Sequence, residues 1–154
     1  MSPRSDEAQE KMDALMDRAK LLMHARQGDI TPDLIRSYPG YAWIKRWEST
    51  DRTYSMVHLS ERYVDELLGP KFLDYIGRTD FDIWPQETAA IFYQNDERVR
   101  RADEAIIVEE AFVSPLTGKH GKFEGVKWAF TSGGSLYLAG MGKGTVLNAA
   151  IASQ

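Results

Sequence analysis

The sequence predicts an α+β fold: a five-stranded antiparallel sheet with helices on one side, preceded by an N-terminal amphipathic helix. The first observation is the order of the segments. Helical and β-type patterns follow one another as helix, two strands, helices and three strands. The second is a tight-turn signal within each group of strands, Ser49–Arg52 and Ser132–Ser135, which is typical of antiparallel pairing.

The first predicted helix runs from Asp6 to Gln27, and Gly28 is a frequent kind of C-terminal stop. Its apolar residues recur at spacings of four and three, which places them on one face of a helix. The stripe consists of Met12, Leu15, Ala19 and Leu22. It fits packing on the chain's own domain or a dimer interface, and the sequence leaves both open. Thr31 and Pro32 predict a second, short helix through Ser37.

A β-hairpin is predicted next. Tyr41–Trp47 is aromatic and β-branched, and Tyr54–Leu59 is predicted as the strand that pairs with it. Ser60–Arg62 then begins a short helix over Tyr63–Leu68, which ends at Gly69-Pro70.

The longest predicted helix runs from Gln86 to about Glu104. Its apolar face is expected to include Ile91, Phe92, Val99 and Ala102, and its solvent-facing side the pairs Asp96–Arg100 and Glu97–Arg101. Ahead of this helix lie Thr79, Asp80 and Asp82. They are interpreted as caps for free helix N–H groups, because short oxygen side chains at such positions usually accept those hydrogen bonds.

The last third of the chain predicts three strands, Ala105–Ser114, Lys122–Phe130 and Leu136–Met141. In the second of these, Val126, Trp128 and Phe130 alternate on one face. Lys127 falls on the opposite face, so we expect its ammonium group to lie in solvent.

Composition narrows the classes of function. The 154 residues suit one domain, and the absence of cysteine excludes disulfides, thiolate nucleophiles and Cys-ligated metals. The net charge of −4 argues against a nucleic-acid surface. No apolar run is long enough to cross a bilayer and no secretory core follows the N-terminus, so a cytoplasmic protein without a membrane partner is expected.

Several phrases of the sequence resemble the PAS domain, the small sensor fold of bacterial signalling proteins. They are Glu66–Gly69 after the hairpin, Ile76–Pro85 (IGRTDFDIWP) before the long helix, Gln94–Val99 (QNDERV) within it, Glu109-Glu110 in the third strand, and Phe123–Phe130 and Ser135–Gly142 in the last two. The resemblance covers about Tyr38 to Gly142. It implies a helical extension over residues 1–37, a sensor domain over 38–142 and a short tail over 143–154.

The closing strand departs from the family pattern. The glycine-rich run Gly140–Thr145 stands where many PAS domains have an Asp-Ile-Thr turn that leads to an output helix. A fused output domain is therefore not expected, and a signalling partner protein would act in trans. The same run lacks the glycine spacing of a phosphate-binding loop.

The resemblance also limits the cofactors. Members that bind flavin or a coumaroyl chromophore covalently use a cysteine, and this chain has none. Haem-binding members usually take an axial histidine from the long helix, and residues 86–104 contain no histidine. A non-covalent flavin or a small metabolite stays open.

Four residues are the candidate ligand contacts: His58, Trp84, Asn95 and Trp128. Each also has a structural interpretation. The tryptophans fill a core, the histidine is a satisfied structural residue, and the asparagine pairs with backbone. No cluster of His, Asp and Glu has zinc-ligand spacing, so no metal site is expected.

The function predicted from these features is a non-catalytic sensory or regulatory PAS module in bacterial signal transduction. It is expected to bind a small molecule or a protein partner and to form a homodimer. The alternative is a compact pocket enzyme, an isomerase or hydrolase, that uses His58 with a carboxylate.

Overall fold

Five strands form one antiparallel sheet in the order β2-β1-β5-β4-β3. In this computed structural model the described residues are Asp6, Glu7, Gln9, Glu10, Asp13, 32–102 and 104–147. The elements are α1 (Pro32–Arg36), β1 (Tyr41–Glu48), β2 (Thr53–Leu59), α2 (Glu61–Tyr63), α3 (Phe72–Tyr75), α4 (Asp80–Ile83), α5 (Gln86–Ala102), β3 (Ile106–Val113), β4 (His120–Ser132) and β5 (Ser135–Val146). Two helical turns, Val64–Leu68 and Gly69–Lys71, connect α2 to α3. The predicted α+β sheet is confirmed.

The predicted dimer stripe, Met12, Leu15, Ala19 and Leu22, lies outside the described residues. Both interpretations of that stripe therefore stay predictions. At the other end, β5 continues through Val146, paired with Gly121 of β4. Residues 143–146, which the sequence assigns to a tail, are part of the sheet.

The middle of the sheet, where β1, β4 and β5 lie side by side, is buried on both faces. The inner face carries Tyr41, Trp43 and Phe123, which pack with Phe92 of α5 in the larger apolar cluster. The outer face carries Ile44, Val126, Trp128 and Met141, which pack with Ile35 of α1. The alternation along β4 therefore places Val126 and Trp128 together, as predicted, and Lys127 on the inner side.

Glycines on the inner face of β5 make room for these rings. A Cβ atom at Gly140 would overlap the indole of Trp43, and one at Gly144 would overlap the ring of Tyr41. At Gly142 the Cβ would meet backbone of β4 and the ring of Phe123, 2.9 Å from its Cζ. The glycine-rich run that departs from the PAS pattern is thus the surface against which the aromatic side chains pack.

The buried face of α5 differs from the prediction. Its buried residues are Thr88, Ala89, Phe92, Asp96 and Val99. Ile91 is 36% exposed and Asp96 only 1% exposed, so the predicted burial of the first and exposure of the second are both wrong. The packed stripe passes through positions 88, 92, 96 and 99, and it includes a carboxylate because two lysines from the sheet meet it there.

No helix among the described residues combines the length and apolar character that a bilayer crossing requires. In the same part of the chain, no three His, Asp or Glu side chains are grouped so that they could hold a metal ion.

Candidate ligand-binding cavity

A small cavity lies between the inner face of the sheet and the helical segments. Its lining consists of Leu67, two charged residues, Lys45 and Glu110, and seven aromatic residues: Tyr41, Trp43, Tyr63, Trp84, Phe92, Phe112 and Phe123. The centre of a water molecule can occupy about 20 Å³ of it. That is room for about one water, so a larger guest requires lining side chains to move.

The aromatic wall is held by edge-to-face contacts. The ring of Trp84 meets Phe92 at 5.1 Å and Phe112 at 5.8 Å between centroids, close to perpendicular in both pairs. Trp43 packs on Phe123 at 4.9 Å. Such pairs add stabilisation beyond the area they bury, and the wall has few polar atoms.

Two buried lysines face this wall from the sheet. Nζ of Lys45 donates to Asp80 at 2.7 Å and to Asp96 at 2.8 Å. Nζ of Lys127 donates to Asp96 at 2.9 Å and to Glu110 at 2.5 Å. Asp96 therefore bridges the two ammonium groups, and the five side chains form one network, here called the buried ion cluster.

Two predictions are corrected by this network. Lys127 is 1% exposed and not in solvent, because the inner phase of β4 directs it to Asp96 and Glu110. Asp96 does not pair with Arg100, whose guanidinium instead bonds Glu97 at 2.8 Å. The predicted Glu97–Arg101 pair is present at 3.3 Å.

Asp80 is also reassigned. Thr79 and Asp82 form a capping box, in which the Thr79 backbone N–H donates to Asp82 at 3.0 Å. Asp80 turns inward instead, accepting from Lys45 and from the hydroxyl of Tyr75. The interpretation of Asp80 as a helix cap is wrong, because the lysine offers its carboxylate a stronger, charged donor.

The indole of Trp84 joins the cavity to this cluster. Its Nε1 donates to the Tyr75 hydroxyl at 3.1 Å, and that hydroxyl donates to Asp80. Burial, reinforced by the Asp80 carboxylate, raises the pKa of Tyr75 well above its ordinary value, so the hydroxyl keeps its proton and acts as a donor.

Burial and pairing set the charges of the cluster. Burial disfavours the charged form of Lys45, but the Asp80 and Asp96 carboxylates outweigh it and raise the pKa of the lysine. For Asp96, the two ammonium groups outweigh the effect of burial and lower the pKa. Burial, with Asp96 nearby, raises the pKa of Glu110 despite its contact with Lys127.

The cluster contains three carboxyl groups and two ammonium groups. Glu110 receives both of its hydrogen bonds on Oε2, from Lys127 and from Nδ2 of Asn95 at 3.0 Å. Among the described residues, no donor reaches Oε1 of Glu110. The side chain is 1% exposed and lines the cavity.

His58 lies in a different place. It borders a surface groove of about 360 Å³ beside β2, together with Arg36, Glu61 and Asp65. Partial burial and the nearby Arg36 lower the pKa of His58. Within the described part of the chain, no carboxylate makes an ion pair or hydrogen bond with the imidazole. The structure therefore does not favour the enzyme alternative.

The structure brings together two of the four candidate ligand residues. Trp84 lines the cavity, and Asn95 touches its wall through Glu110. Trp128 is fully buried on the outer face of the sheet, where its Nε1 has no hydrogen-bond partner among the described residues. His58 and Trp128 are therefore separate from the cavity.

The residues missed by sequence reasoning are Lys45, Asp80, Asp96, Glu110 and Lys127. A signal for them exists in the strand phase. Lys45 lies in step with Tyr41 and Trp43, and Glu110 in step with Val108 and Phe112. A charged residue at a buried position needs a partner of opposite charge, and both signs are present in the same phase. The general preference of lysine for solvent hid this signal.

Comparison with known proteins finds similar structures but no match at the level of sequence families. No family profile and no curated protein matches the sequence. Among solved structures, the PAS domain of an HTR-like protein from Haloarcula marismortui is 15% identical with a TM-score of 0.54, covering 75% of this chain and 93% of that chain. The PAS-B domain of Drosophila melanogaster Cycle, solved with ethylene glycol, is 12% identical with a TM-score of 0.50, covering 70% and 99%.

A third similar protein is VqmA, described as a LuxR-type receptor. The Vibrio cholerae VqmA dimer is 25% identical with a TM-score of 0.54, and the match covers 82% of this chain and 53% of that chain. VqmA bound to DPO is 23% identical with a TM-score of 0.52, covering 77% and 56%. This chain thus spans about half the length of VqmA. Over about three quarters of its length, the chain has the fold of a PAS domain, as the motifs between Tyr38 and Gly142 predict.

Proposed function

We propose that this chain is a non-catalytic sensory module of bacterial signal transduction that binds a small molecule in the aromatic cavity. The observation that carries the proposal is the buried ion cluster beside that cavity. Burying five ionisable side chains costs more free energy than burying apolar side chains of similar size, so such a cluster is expected where it serves a site. An apolar pocket with a few convergent polar groups is the usual form of a small-molecule site.

The cavity's small volume supports a sensing role. A guest larger than about one water must displace lining side chains, and Trp84 and Glu110 are bonded to Tyr75 and Lys127 respectively. A guest would therefore disturb contacts that also hold α4 and α5 against the sheet. A ligand that binds one arrangement of these contacts better than another shifts the population between them.

Indole NMR signals test this proposal with an internal reference. Trp43 and Trp84 line the cavity, whereas Trp128 lies on the outer face. With ¹⁵N-labelled tryptophan and DPO as the first probe, a cavity ligand should shift the Trp43 and Trp84 signals and leave Trp128 in place. Trp43→Phe and Trp84→Phe variants assign the signals.

The purified protein gives a second readout. Native mass and a visible absorption spectrum record any flavin, haem or metabolite that the protein retains. If the protein has its bare mass and neither DPO, benzamidine nor benzamide shifts Trp43 and Trp84, small-molecule binding is rejected and an interaction module without a ligand is left.

We propose further that the module forms a homodimer through Met12, Leu15, Ala19 and Leu22. Support comes from the helical spacing of this stripe and from VqmA, which is described as a dimer. Light scattering on a Leu15→Asp, Leu22→Asp variant should give the monomer mass. An unchanged dimer mass would exclude this interface.

We propose that the output is carried by a partner protein in the cytoplasm. Support is the net charge of −4, which offers no excess of basic side chains for nucleic acid. The absence of cysteine fits the same compartment. Capture experiments with and without ligand would identify the partner. Partner binding that is equally strong in both conditions would contradict a signalling role.

A further inference from the structure

We infer that the cavity binds a compact organic cation with an N–H group, which donates a hydrogen bond to Oε1 of Glu110 while aromatic rings surround its charge. The inference rests on the proposed function and names the chemical class of its ligand. The geometry that carries it is a carboxylate that lines an aromatic cavity and receives both of its hydrogen bonds from the described residues on one oxygen, Oε2.

The charges of the ion cluster do not balance within the cluster. Lys45 and Lys127 can neutralise two of the three carboxyl groups, and Asp96 lies between both lysines. Glu110 has one lysine contact, which it shares with Asp96, and the neutral amide of Asn95. An ionised Glu110 therefore leaves one negative charge in excess, and uncompensated buried charge is strongly unfavourable. A cation in the cavity would supply the missing charge.

The rest of the cavity suits a cation as well. Rings with negative faces attract positive charge within about 6 Å of their centroids. The two lysines already use Trp43 and Phe92 in this way, at 5.5 to 5.8 Å. The remaining rings of the wall have no cation on them among the described residues, so they stay available to a guest.

Without a guest, a proton on Glu110 removes the excess charge. The direction of its pKa, raised by burial, agrees with this. The groups that face Glu110 are Lys127 from β4, Asn95 and Asp96 from α5, Tyr63 from α2, and Lys45 from β1, itself held by Asp80 of α4. Binding of a cation would then release the carboxyl proton to solvent, so that the total charge of the site is unchanged.

The test uses two probes of nearly equal shape, benzamidine, which is a cation at neutral pH, and benzamide, which is neutral. Titration of the full chain by calorimetry at pH 7 should show benzamidine binding at least tenfold more tightly. Glu110→Gln keeps the size of the side chain and should remove that preference. Glu109→Gln is the matched control, because Glu109 is 64% exposed on the same strand and pairs with Lys122.

Two results overturn the inference. One is binding of benzamide equal to or tighter than that of benzamidine, which would indicate a neutral amide-like ligand. The other is absence of benzamidine binding at millimolar concentration. In either case the indole shifts of Trp43 and Trp84, recorded with benzamidine, benzamide and DPO in turn, decide the proposed function separately, since together they report a cationic or a neutral guest in the cavity.

Discussion

Replacing Lys127 by methionine tests the buried ion cluster most directly. Methionine is unbranched and one heavy atom shorter than lysine, so the change keeps an apolar stem and removes the ammonium group. Asp96 then keeps only Lys45, at 2.8 Å, and Glu110 keeps only the amide of Asn95, at 3.0 Å. Three carboxyl groups would share one ammonium group in a region closed to water.

The cost follows from the two bonds that disappear. Each hydrogen bond to a charged group contributes about 1.5–3 kcal/mol. The two bonds of Lys127 therefore correspond to a loss of about 3–6 kcal/mol. Removing one partner of a buried ion pair usually costs about 3–5 kcal/mol, which falls in the same range. Glu110→Gln, by contrast, leaves two carboxylates and two ammonium groups, so we expect a change within about 1 kcal/mol at pH 7.

Urea unfolding measures both changes. With a slope of about 1–3 kcal/mol per molar urea, Lys127→Met should lower the midpoint by about 2 M. Lys122→Met is the matched control on the same strand, since its ammonium group pairs with Glu109 and Glu124 at the surface. Its midpoint should stay close to that of the wild type. A midpoint for Lys127→Met equal to that of Lys122→Met would refute the role assigned to the cluster.

The destabilisation caused by Lys127→Met should depend on pH through the protonation of Glu110. Glu110 has a raised pKa in the folded state, so it favours folding below its ordinary value of 4.5 and loses this contribution as pH rises through the folded pKa. Removing Lys127 raises that pKa further, because the ammonium group lowers it. The destabilisation should therefore be larger at pH 8 than at pH 5. The double variant with Glu110→Gln should recover part of the loss at pH 8.

Two further changes test the supports of the cavity and of the surface. Gly144→Ala places a methyl group in the space of the Tyr41 ring and should lower the free energy of unfolding by about 1–3 kcal/mol, measured by thermal unfolding. Lys143→Ala is the control and should leave the melting temperature unchanged. Equal melting temperatures for the two variants would contradict the close packing of Tyr41 on Gly144. Glu97→Gln weakens bonds from Arg100 and Tyr54 that lower the pKa of Glu97. That stabilisation, about 1–2 kcal/mol, is present above pH 4.5 and is lost as pH falls. The difference in unfolding free energy between the variant and the wild type should therefore disappear in acid. A difference that does not change with pH would show that the bonds do not depend on the carboxylate charge.

The fold could be predicted from sequence patterns because these patterns depend on local and periodic properties of the chain. The strand boundaries around Tyr41–Trp47 and the helix from Gln86 agree with the structure within a few residues. Turn glycines such as Gly133, with φ of 57°, and Gly134, with φ of 84°, identify the hairpin by a backbone conformation that few other residues adopt. These features need no knowledge of distant contacts.

The candidate site was only partly predictable because its chemistry is non-local. Lys45 lies 35 positions before Asp80 and 51 positions before Asp96 in the sequence, yet its ammonium group contacts both carboxylates. Each looks like an ordinary surface residue when its neighbours in sequence are considered alone. Only the sheet order, which places β1 beside β5 and β5 beside β4, brings the two lysines to the same carboxylate.

Under the proposed function, that arrangement would let the ion cluster transmit a change in the cavity. Phe92 and Asp96 lie one helical turn apart on α5, one in the cavity wall and the other between both lysines. A guest that moves Phe92 or bonds Glu110 must also alter the balance at Asp96, and through Lys45 the contact with Asp80 on α4. In an apolar core the same displacement would be absorbed by many weak contacts. In a cluster of few strong, directional bonds it changes which pairs are made, and such alternatives are what a two-state sensor requires.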